Sequence, residues 1–443
     1  MHDRQRMALG LMLSGSGCHT AAWRDPGSPV GEQINFNYFK GIAQAAERAL
    51  YDMVFIADSL YVDHLPRGAE RRYPRDPHLN FEPITLLSAL APMTTHVGLG
   101  GTLSTTYSAP YAAARAFASL DHISGGRAAW NVVTSSSPLE ARNFGLDEQL
   151  DHSRRYAYAR EHVEVVQKLW DSWEDGAIIA DKASGIAFDP SKLHAIDHRG
   201  THFTVTGPLN VSRSPQGRPV LIQAGSSGPG QDLAASIADV VFTAQTDIGR
   251  AAEFRRGLKQ KAAAFGRDPA SMVVLPGITT VIGRTEREAE EKAKSLQDLI
   301  DPQVGLAVLG TLLGGDLGDV DLDKPLPELA DSNASKSRFE LVKRIARDES
   351  LTVRQLYARL AFARGHLRIV GSAERIADEM TAWFKAGAAD GFLFHPPVMP
   401  RSCIDFDTLV LPILRERGLL RTEYTGTTLR DHLGLARPKS PWA

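Results

Sequence analysis

The chain has 443 residues, 43% hydrophobic and 23% charged, the composition of an ordinary globular protein with a large core. Its 50 basic and 52 acidic side chains leave a net charge of −2, which argues against nucleic acid or an anionic membrane surface as a partner. With two cysteines, a disulfide scaffold and a four-cysteine metal site are excluded. The sequence contains no apolar run long enough to span a membrane, and the expected location is the cytoplasm.

Short apolar runs alternate with longer helical patterns, which predicts repeated strand–helix units. Helical spacing of apolar residues is clear at Arg154–Trp173 and Glu374–Lys385. The predicted strands are Met7–Leu13, Met53–Ala57, Val97–Ser104, Ala128–Ser135, Val220–Ala224, Val240–Ala244, Val273–Ile282 and Gly391–His395. Because these runs are continuously apolar, they suit strands covered on both faces. We predict an α/β fold, a (β/α)₈ TIM barrel, with an open doubly wound sheet as the alternative.

Two stretches interrupt the repeat. Residues 176–217 are rich in Gly, Pro, Asp and His and alternate in polarity at His202–Thr206, which predicts a hairpin-bearing insertion after the fourth unit. Residues 296–368 form a larger insertion between strands 7 and 8, with helical patterns at Arg338–Arg347 and Val353–Ala363. We interpret this insertion as a lid or a subunit contact. We expect one domain over residues 1–443, ending in a surface tail at 421–443.

Polar side chains follow several predicted strands, at the end where barrels bind ligands. Asp58 follows strand 2, where a carboxylate accepts hydrogen bonds from a ligand or caps the next helix. Strand 3 leads into a run of hydroxyls that includes Thr102, Ser104 and Tyr107, and strand 4 contains Asn131. A bound phosphate or polar ring edge explains the hydroxyl run, and so does ordinary turn chemistry.

The small residues after strand 5, at 223–230, predict a phosphate site, because backbone N–H groups at a helix start point toward an anion. Ser226 and Ser227 add hydroxyl donors, and a plain tight turn is the alternative. His152 and Tyr156 lie four residues apart at the start of a helix, on one face. They either reach a shared ligand or form a surface pair.

Histidines are also candidates for the barrel mouth. His19 follows strand 1 and His395 ends strand 8, although each is equally explained as a structural histidine. The spacing of His194, His198 and His202 suggests metal ligands, but the intervening Gly200 argues against one helical face. We predict no metal site.

Together these segments resemble the bacterial luciferase-like superfamily. Within it they are most similar to the nitrilotriacetate monooxygenase component A, long-chain alkane monooxygenase and dibenzothiophene-sulfone monooxygenase family. The resemblance spans nearly the whole chain, and its pieces include GCHTAAWR at 17–24, FIADS at 55–59, TLSTTYSAPY at 102–111, SGGRAAWNVVTS at 124–135, VLIQAGSS at 220–227 and DGFLFHPP at 390–397. Cys18 and His395 depart from the family pattern, which implies a distinct substrate pocket.

The resemblance implies a two-component monooxygenase. Such an enzyme takes reduced FMN from a separate NAD(P)H:flavin reductase and oxidises a small organic substrate with dioxygen, through a flavin peroxide. The implied flavin-binding residues are Asp58, Thr102, Ser104, Asn131, His152, Tyr156, Ser226 and Ser227. The pocket candidates for catalysis are His19, Tyr107 and His395. A homo-oligomer, dimer or tetramer, is also expected. The alternatives are a deazaflavin-dependent oxidoreductase of the same superfamily and a non-catalytic flavin-binding protein.

Overall fold

The computed structural model describes residues 4–29, 31–62, 79–314, 317, 320–328 and 336–442. Within these residues eight parallel strands close into a barrel, in which consecutive strands pair and the last pairs with the first. In chain order, β1 to β8 are Ala8–Met12, Met53–Ile56, Gly98–Ser104, Ala128–Val133, Val220–Gln223, Val240–Thr243, Val273–Ile282 and Gly391–Phe394. The predicted (β/α)₈ TIM barrel is confirmed, and the open doubly wound sheet is wrong.

The strands are apolar on both faces because one face fills the barrel and the other contacts helices. Every residue of β2, β5, β6, β7 and β8 is buried. Along β2, Met53 and Phe55 belong to the cluster inside the barrel, while Val54 and Ile56 belong to the cluster under the helices. This alternation follows from the period of two in a strand. It leaves the strand ends as the places for polar side chains.

Helices surround the barrel. In chain order, the described α-helices α1 to α15 are Phe36–Arg48, Pro83–Leu90, Pro110–Ser124, Pro138–Asn143, His152–Trp170, Gly228–Ile237, Ile248–Ala264, Glu286–Asp298, Pro302–Leu313, Lys336–Asp348, Val353–Ala363, Ala373–Lys385, Arg401–Asp405, Leu411–Glu416 and Leu429–His432. A π-helical turn at Phe406–Val410 joins α13 to α14. No helix among the described residues is both long and apolar enough to cross a membrane.

The two predicted insertions contain regular structure. The first holds the expected hairpin, His198–Arg199 with Thr204–Val205, and another that the sequence did not predict, Ile178–Asp181 with Ile186–Phe188. In the second, α9, α10 and α11 pack around a separate apolar cluster. The strand Leu367–Gly371 follows them and pairs with the second half of β7. This pairing fixes the insertion against the barrel, beside the carboxyl ends of the strands.

The C-terminal tail lies deeper than a surface tail. Leu429, Leu433 and Leu435 are buried in the cluster inside the barrel. Leu429 lies close to the start of β3, since a Cβ built on Gly98 would be 2.5 Å from one of its methyl groups. Arg430 anchors the segment through an ion pair with Asp239 at 2.8 Å. The expectation of a surface tail at 421–443 is therefore wrong for 429–435, which closes the amino end of the barrel.

Candidate active site

The carboxyl ends of β2 to β5 surround a cavity of about 310 Å³. Most of the predicted binding residues share this cavity although they come from separate loops. Those that line it are Asp58, Thr102, Ser104, His152, Tyr156 and Ser227. Asn131 lies directly behind Thr102, and Ser226 lines an adjoining second cavity. The structure thus brings together side chains that are distant in sequence at the end of the barrel predicted for a ligand.

Ser227 starts α6 and faces the cavity. Its Oγ accepts a hydrogen bond from the backbone N–H of Gly230 at 3.3 Å, so Ser227 is the N-cap of that helix. The positive end of the helix dipole lies at the same point. A helix start with a hydroxyl and backbone donors is suited to bind a phosphate.

Two glycines make this loop compact. A Cβ built on Gly225 would lie 2.9 Å from the Cα of Gly230 and 3.1 Å from the Tyr156 hydroxyl. The loop therefore packs backbone against backbone, and the phenol of Tyr156 lies against both glycines. The chain after β5 follows this path only because neither position carries a side chain.

His152 and Tyr156 lie one turn apart at the start of α5, and both face the cavity. Their ring centroids are 4.9 Å apart, and Nε2 of His152 is 3.5 Å from Oγ of Ser227. The surface-pair alternative is therefore wrong. The imidazole of His152, the phenol of Tyr156 and the hydroxyl of Ser227 therefore meet at the candidate phosphate site at the start of α6.

Thr102 and Asn131 connect β3 and β4 below this site. The Thr102 hydroxyl donates to the carbonyl of Ile56 at 3.1 Å, so it must accept from Nδ2 of Asn131, 3.0 Å away. This hydrogen-bond chain fixes the orientation of the amide. Oδ1 of Asn131 is then buried without a hydrogen-bond partner in the part of the chain that the structure describes. A buried acceptor of this kind is costly unless a ligand donates to it.

Ser104 and Ser135 form a second polar pair at the ends of β3 and β4. Their hydroxyl oxygens are 2.9 Å apart. Ser135 has φ of 45°, a left-handed conformation that is uncommon outside glycine. Nη1 of Arg155 donates to the Ser135 carbonyl at 2.5 Å and holds this turn. Strained backbone of this kind is frequent at binding sites.

Asp58 has an unusual electrostatic environment. Burial raises the pKa of its carboxyl to about 6, and the nearby Glu82 and Glu140 raise it too, while a hydrogen bond from the Ser59 backbone lowers it. That hydrogen bond has a length of 2.9 Å. Asp58 therefore changes charge in the mildly acidic range, whereas an unperturbed aspartate ionises well below it.

Sequence reasoning missed several polar residues of this cavity, among them Gln223, Glu140 and Arg155. Oε1 of Gln223 accepts from the Gly225 N–H at 2.6 Å and shapes the loop after β5. Glu140 completes a capping box with Ser137 at the start of α4. Gln223 lies next to the end of the predicted strand Val220–Ala224, and Arg155 precedes Tyr156 by one residue, so position alone was a usable signal for both.

A second cavity of about 740 Å³ adjoins the first and shares His152, Ala224 and Ser227 with it. The barrel contributes the last residues of β6, including Phe242, and the loop that follows them. The second insertion contributes the opposite wall. Its lining side chains, four from α10 and one histidine later in the chain, are Arg338, Glu340, Leu341, Arg344 and His366. The insertion therefore encloses space directly beside the predicted binding residues.

The three predicted pocket residues lie outside the first cavity. Tyr107 stacks on Phe144 with ring centroids 4.4 Å apart, and its hydroxyl accepts from Gln149 at 2.9 Å. His395 stacks on His366, with centroids 4.4 Å apart, behind the wall of the second cavity. Neither side chain reaches the residues around Ser227, which corrects the expectation that both line the pocket.

His19 is also buried away from both cavities. Its ring packs edge-on against Phe362 of α11 at 4.5 Å, and its Nδ1 accepts from the Ala21 N–H at 3.0 Å. Burial, with a smaller contribution from Arg368, lowers the pKa of His19 to about 3, so the ring is neutral. The residue acts here as a packing element between the first strand and the insertion.

Comparisons with known proteins agree with this geometry. The family model for luciferase-like monooxygenases matches residues 17–390. The chain is 50% identical over 443 residues to N-acetyl-S-(2-succino)cysteine monooxygenase of Bacillus subtilis (strain 168), covering 99% of each chain. It is 46% identical over 447 residues to nitrilotriacetate monooxygenase component A of Aminobacter aminovorans, again covering 99% of each.

A solved structure adds a cofactor to the comparison. The crystal structure of a riboflavin lyase with modified FMN and its substrate riboflavin superposes with a TM-score of 0.87 at 35% identity, over 98% of this chain and 97% of that one. Sequence, fold and the clustering of polar residues at the barrel mouth lead to one assignment. The chain belongs to the luciferase-like monooxygenase family.

Proposed function

We propose that the chain is the oxygenase component of a two-component system. It takes reduced FMN from a separate NAD(P)H:flavin reductase and uses dioxygen to oxidise a small organic substrate. The observation that carries the proposal is the convergence of Asp58, His152, Tyr156 and Ser227 on one cavity at the barrel mouth. A relative called component A and a riboflavin lyase holding modified FMN support the partner and the cofactor.

The residues present fit a flavin mononucleotide. The phosphate would lie at the start of α6, where Ser227 and backbone N–H groups offer donors. His152 and Tyr156 would contact the phosphate and the ribityl chain. Toward the barrel axis, the buried Oδ1 of Asn131 needs a donor, and a flavin ring edge carries one. Ser104 would contact the same part of the ring.

Reduced FMN, when bound, supplies the electrons that activate dioxygen for transfer to the substrate. The protein's part is to orient the cofactor, exclude water and hold the substrate beside it. The second cavity would hold the substrate, and this is supported by its sharing of His152, Ala224 and Ser227 with the first. Residues of the second insertion form one wall of that space.

The proposal is tested by anaerobic titration of the protein with reduced FMN, followed by mixing with oxygenated buffer. We expect saturable binding and a change in the rate of flavin reoxidation when the protein is present. N-acetyl-S-(2-succino)cysteine and nitrilotriacetate are the first substrates to try, scored by ¹⁸O incorporation from dioxygen. Reoxidation of reduced FMN at the same rate with and without the protein would contradict the proposal.

A further inference from the structure

The second cavity carries an excess of positive charge on one helix. Arg338 and Arg344 of α10 both line it, and among the described residues neither forms an ion pair. The neighbouring Arg250 is different, because Asp348 neutralises it at 3.0 Å. Glu340 is the one carboxylate among the lining residues that are described. One carboxylate does not balance these two arginines, and an arginine in a partly closed cavity is costly unless an anion joins it.

Arg338 is held in a fixed orientation. Its Nη2 donates to Nε2 of His366 at 3.2 Å, and its Nη1 donates to the carbonyl of Arg364. These contacts use part of the guanidinium and leave other N–H donors for a ligand. Burial, with a smaller contribution from Arg364, lowers the pKa of Arg338 to about 10. Arg338 therefore remains charged at neutral pH, the state in which a guanidinium binds an anion.

The histidines beside it do not supply the charge. Burial, His395 and Arg338 together hold the pKa of His366 well below its ordinary value. Burial and the same arginine lower the pKa of His395 to about 3. Both rings are therefore neutral, and they stack at 4.4 Å as a support behind Arg338. The positive potential of the cavity comes from the arginines.

We propose that Arg338 and Arg344 bind carboxylates of the substrate, and that the substrate class is a small molecule carrying two or more carboxylates. This inference rests on the proposed function, since it places the substrate beside the flavin. The planar fork of arginine matches a carboxylate through two parallel hydrogen bonds. The phosphate of the flavin has separate donors at Ser227, so the arginines are available for a second anion. Arg338 and Arg344 are specificity-determining residues in this scheme.

The test is calorimetric titration with nitrilotriacetate and with its uncharged triamide, on flavin-free protein and on protein saturated with FMN. We expect the tricarboxylate to bind and the triamide to bind at least tenfold more weakly. Arg338→Gln should weaken tricarboxylate binding about 10- to 100-fold, and Arg344→Gln should weaken it about 3- to 10-fold. Glu340→Gln should strengthen it a few-fold, because a like charge is removed.

Arg347→Gln is the matched control, because Arg347 is exposed on the same helix and does not line the cavity. Circular dichroism and Arg338→Lys separate a folding defect from a binding defect. FMN affinity, followed by fluorescence quenching, should be unchanged in the arginine variants. If they lose FMN and keep the tricarboxylate, the cavity holds the cofactor phosphate and the inference is wrong.

Equal binding of tricarboxylate and triamide would also overturn it. Failure of the wild-type protein to bind reduced FMN, with an arginine-dependent tricarboxylate titration intact, would instead remove the proposed function alone. FMN binding and tricarboxylate binding are measured separately, so failure of the proposed function is distinguishable from failure of the inference.

Discussion

The amide of Asn131 donates to the hydroxyl of Thr102 across 3.0 Å, and this bond leaves the other amide atom, Oδ1, buried without a hydrogen-bond partner among the described residues. The orientation follows from the chain of donors, since the Thr102 hydroxyl is itself committed to the carbonyl of Ile56. A strand residue is thereby turned into an acceptor that nothing else in the described chain satisfies.

Asn131→Leu should weaken FMN binding by about 1–3 kcal/mol, because it removes a buried hydrogen-bond acceptor. Leucine is similar in size to asparagine, so the substitution opens no large void. The protein should stay folded, since the unpaired acceptor is removed as well. FMN affinity by fluorescence quenching and the thermal midpoint give the two readouts. Asn210→Leu is the control, because Asn210 is exposed and lies outside the first cavity. Unchanged FMN affinity in Asn131→Leu would remove Asn131 from the site.

Ser227→Ala should lower both stability and flavin affinity. Loss of the N-cap costs about 0.5–2 kcal/mol of stability, and loss of the phosphate contact should cost a further part of the FMN binding energy. Ser372→Ala is a matched control. Ser372 caps α12 with the same contact, since its Oγ accepts a hydrogen bond from the backbone N–H three residues later at 3.3 Å. Ser372 lines neither cavity. Both variants should melt earlier, and if they also lose FMN equally, Ser227 acts only as a cap.

Gly225→Ala should greatly weaken FMN binding, by at least tenfold. The new methyl would meet Nε2 of Gln223 at 2.6 Å and the Cα of Gly230 at 2.9 Å, so the phosphate loop must open. Gly228→Ala is the control in the same loop, because nothing lies within 4 Å of a Cβ there. That variant should bind FMN like the parent protein. A Gly225→Ala protein with normal affinity would show that the tight loop is not required.

Asp58→Asn should stabilise the flavin-free protein in a pH-dependent way. The folded-state pKa of Asp58 is about 6, above its ordinary value of 3.8, so ionisation is harder in the folded state. By linkage this group costs stability above pH 6, and the cost declines as the pH falls through the range from 6 to 4. Asp58→Asn should therefore raise the thermal midpoint at pH 7–8 and leave it nearly unchanged at pH 4.

Thermal midpoints across that pH range, measured without flavin, check this prediction. Asp147→Asn, at an exposed position outside the first cavity, provides the reference. A midpoint gain that stays constant from pH 4 to 8 would contradict the assigned ionisation. If the carboxylate also accepts a hydrogen bond from the flavin, Asp58→Asn will weaken FMN binding while it stabilises the fold.

The barrel was predictable from sequence because each strand is buried on both faces and therefore continuously apolar. The observed β7, Val273–Ile282, matches its predicted bounds, and β4 ends two residues before the predicted Ser135. The hairpin Ile178–Asp181 with Ile186–Phe188 was missed for the opposite reason. All its residues are exposed, so burial imposes no alternation on the sequence.

The site was predictable where a residue lies directly on a strand end or a helix start, as Ser227 and His152 do. It was not predictable where long-range packing decides the orientation of a side chain. Tyr107 follows β3, yet its ring stacks on Phe144 and does not line the first cavity. His395 directly follows β8, yet the insertion places His366 between it and the second cavity. Such contacts join segments whose proximity no local pattern encodes.

Leu429, Leu433 and Leu435 come after all eight strands in the chain, yet they occupy the amino end of the barrel. During translation the strands emerge first, and the interior stays open to water at that end until residues 429–435 have left the ribosome. We therefore expect the amino end of the barrel to close only after this segment has been synthesised. A nascent chain stalled before residue 429 would present an apolar opening to chaperones and proteases.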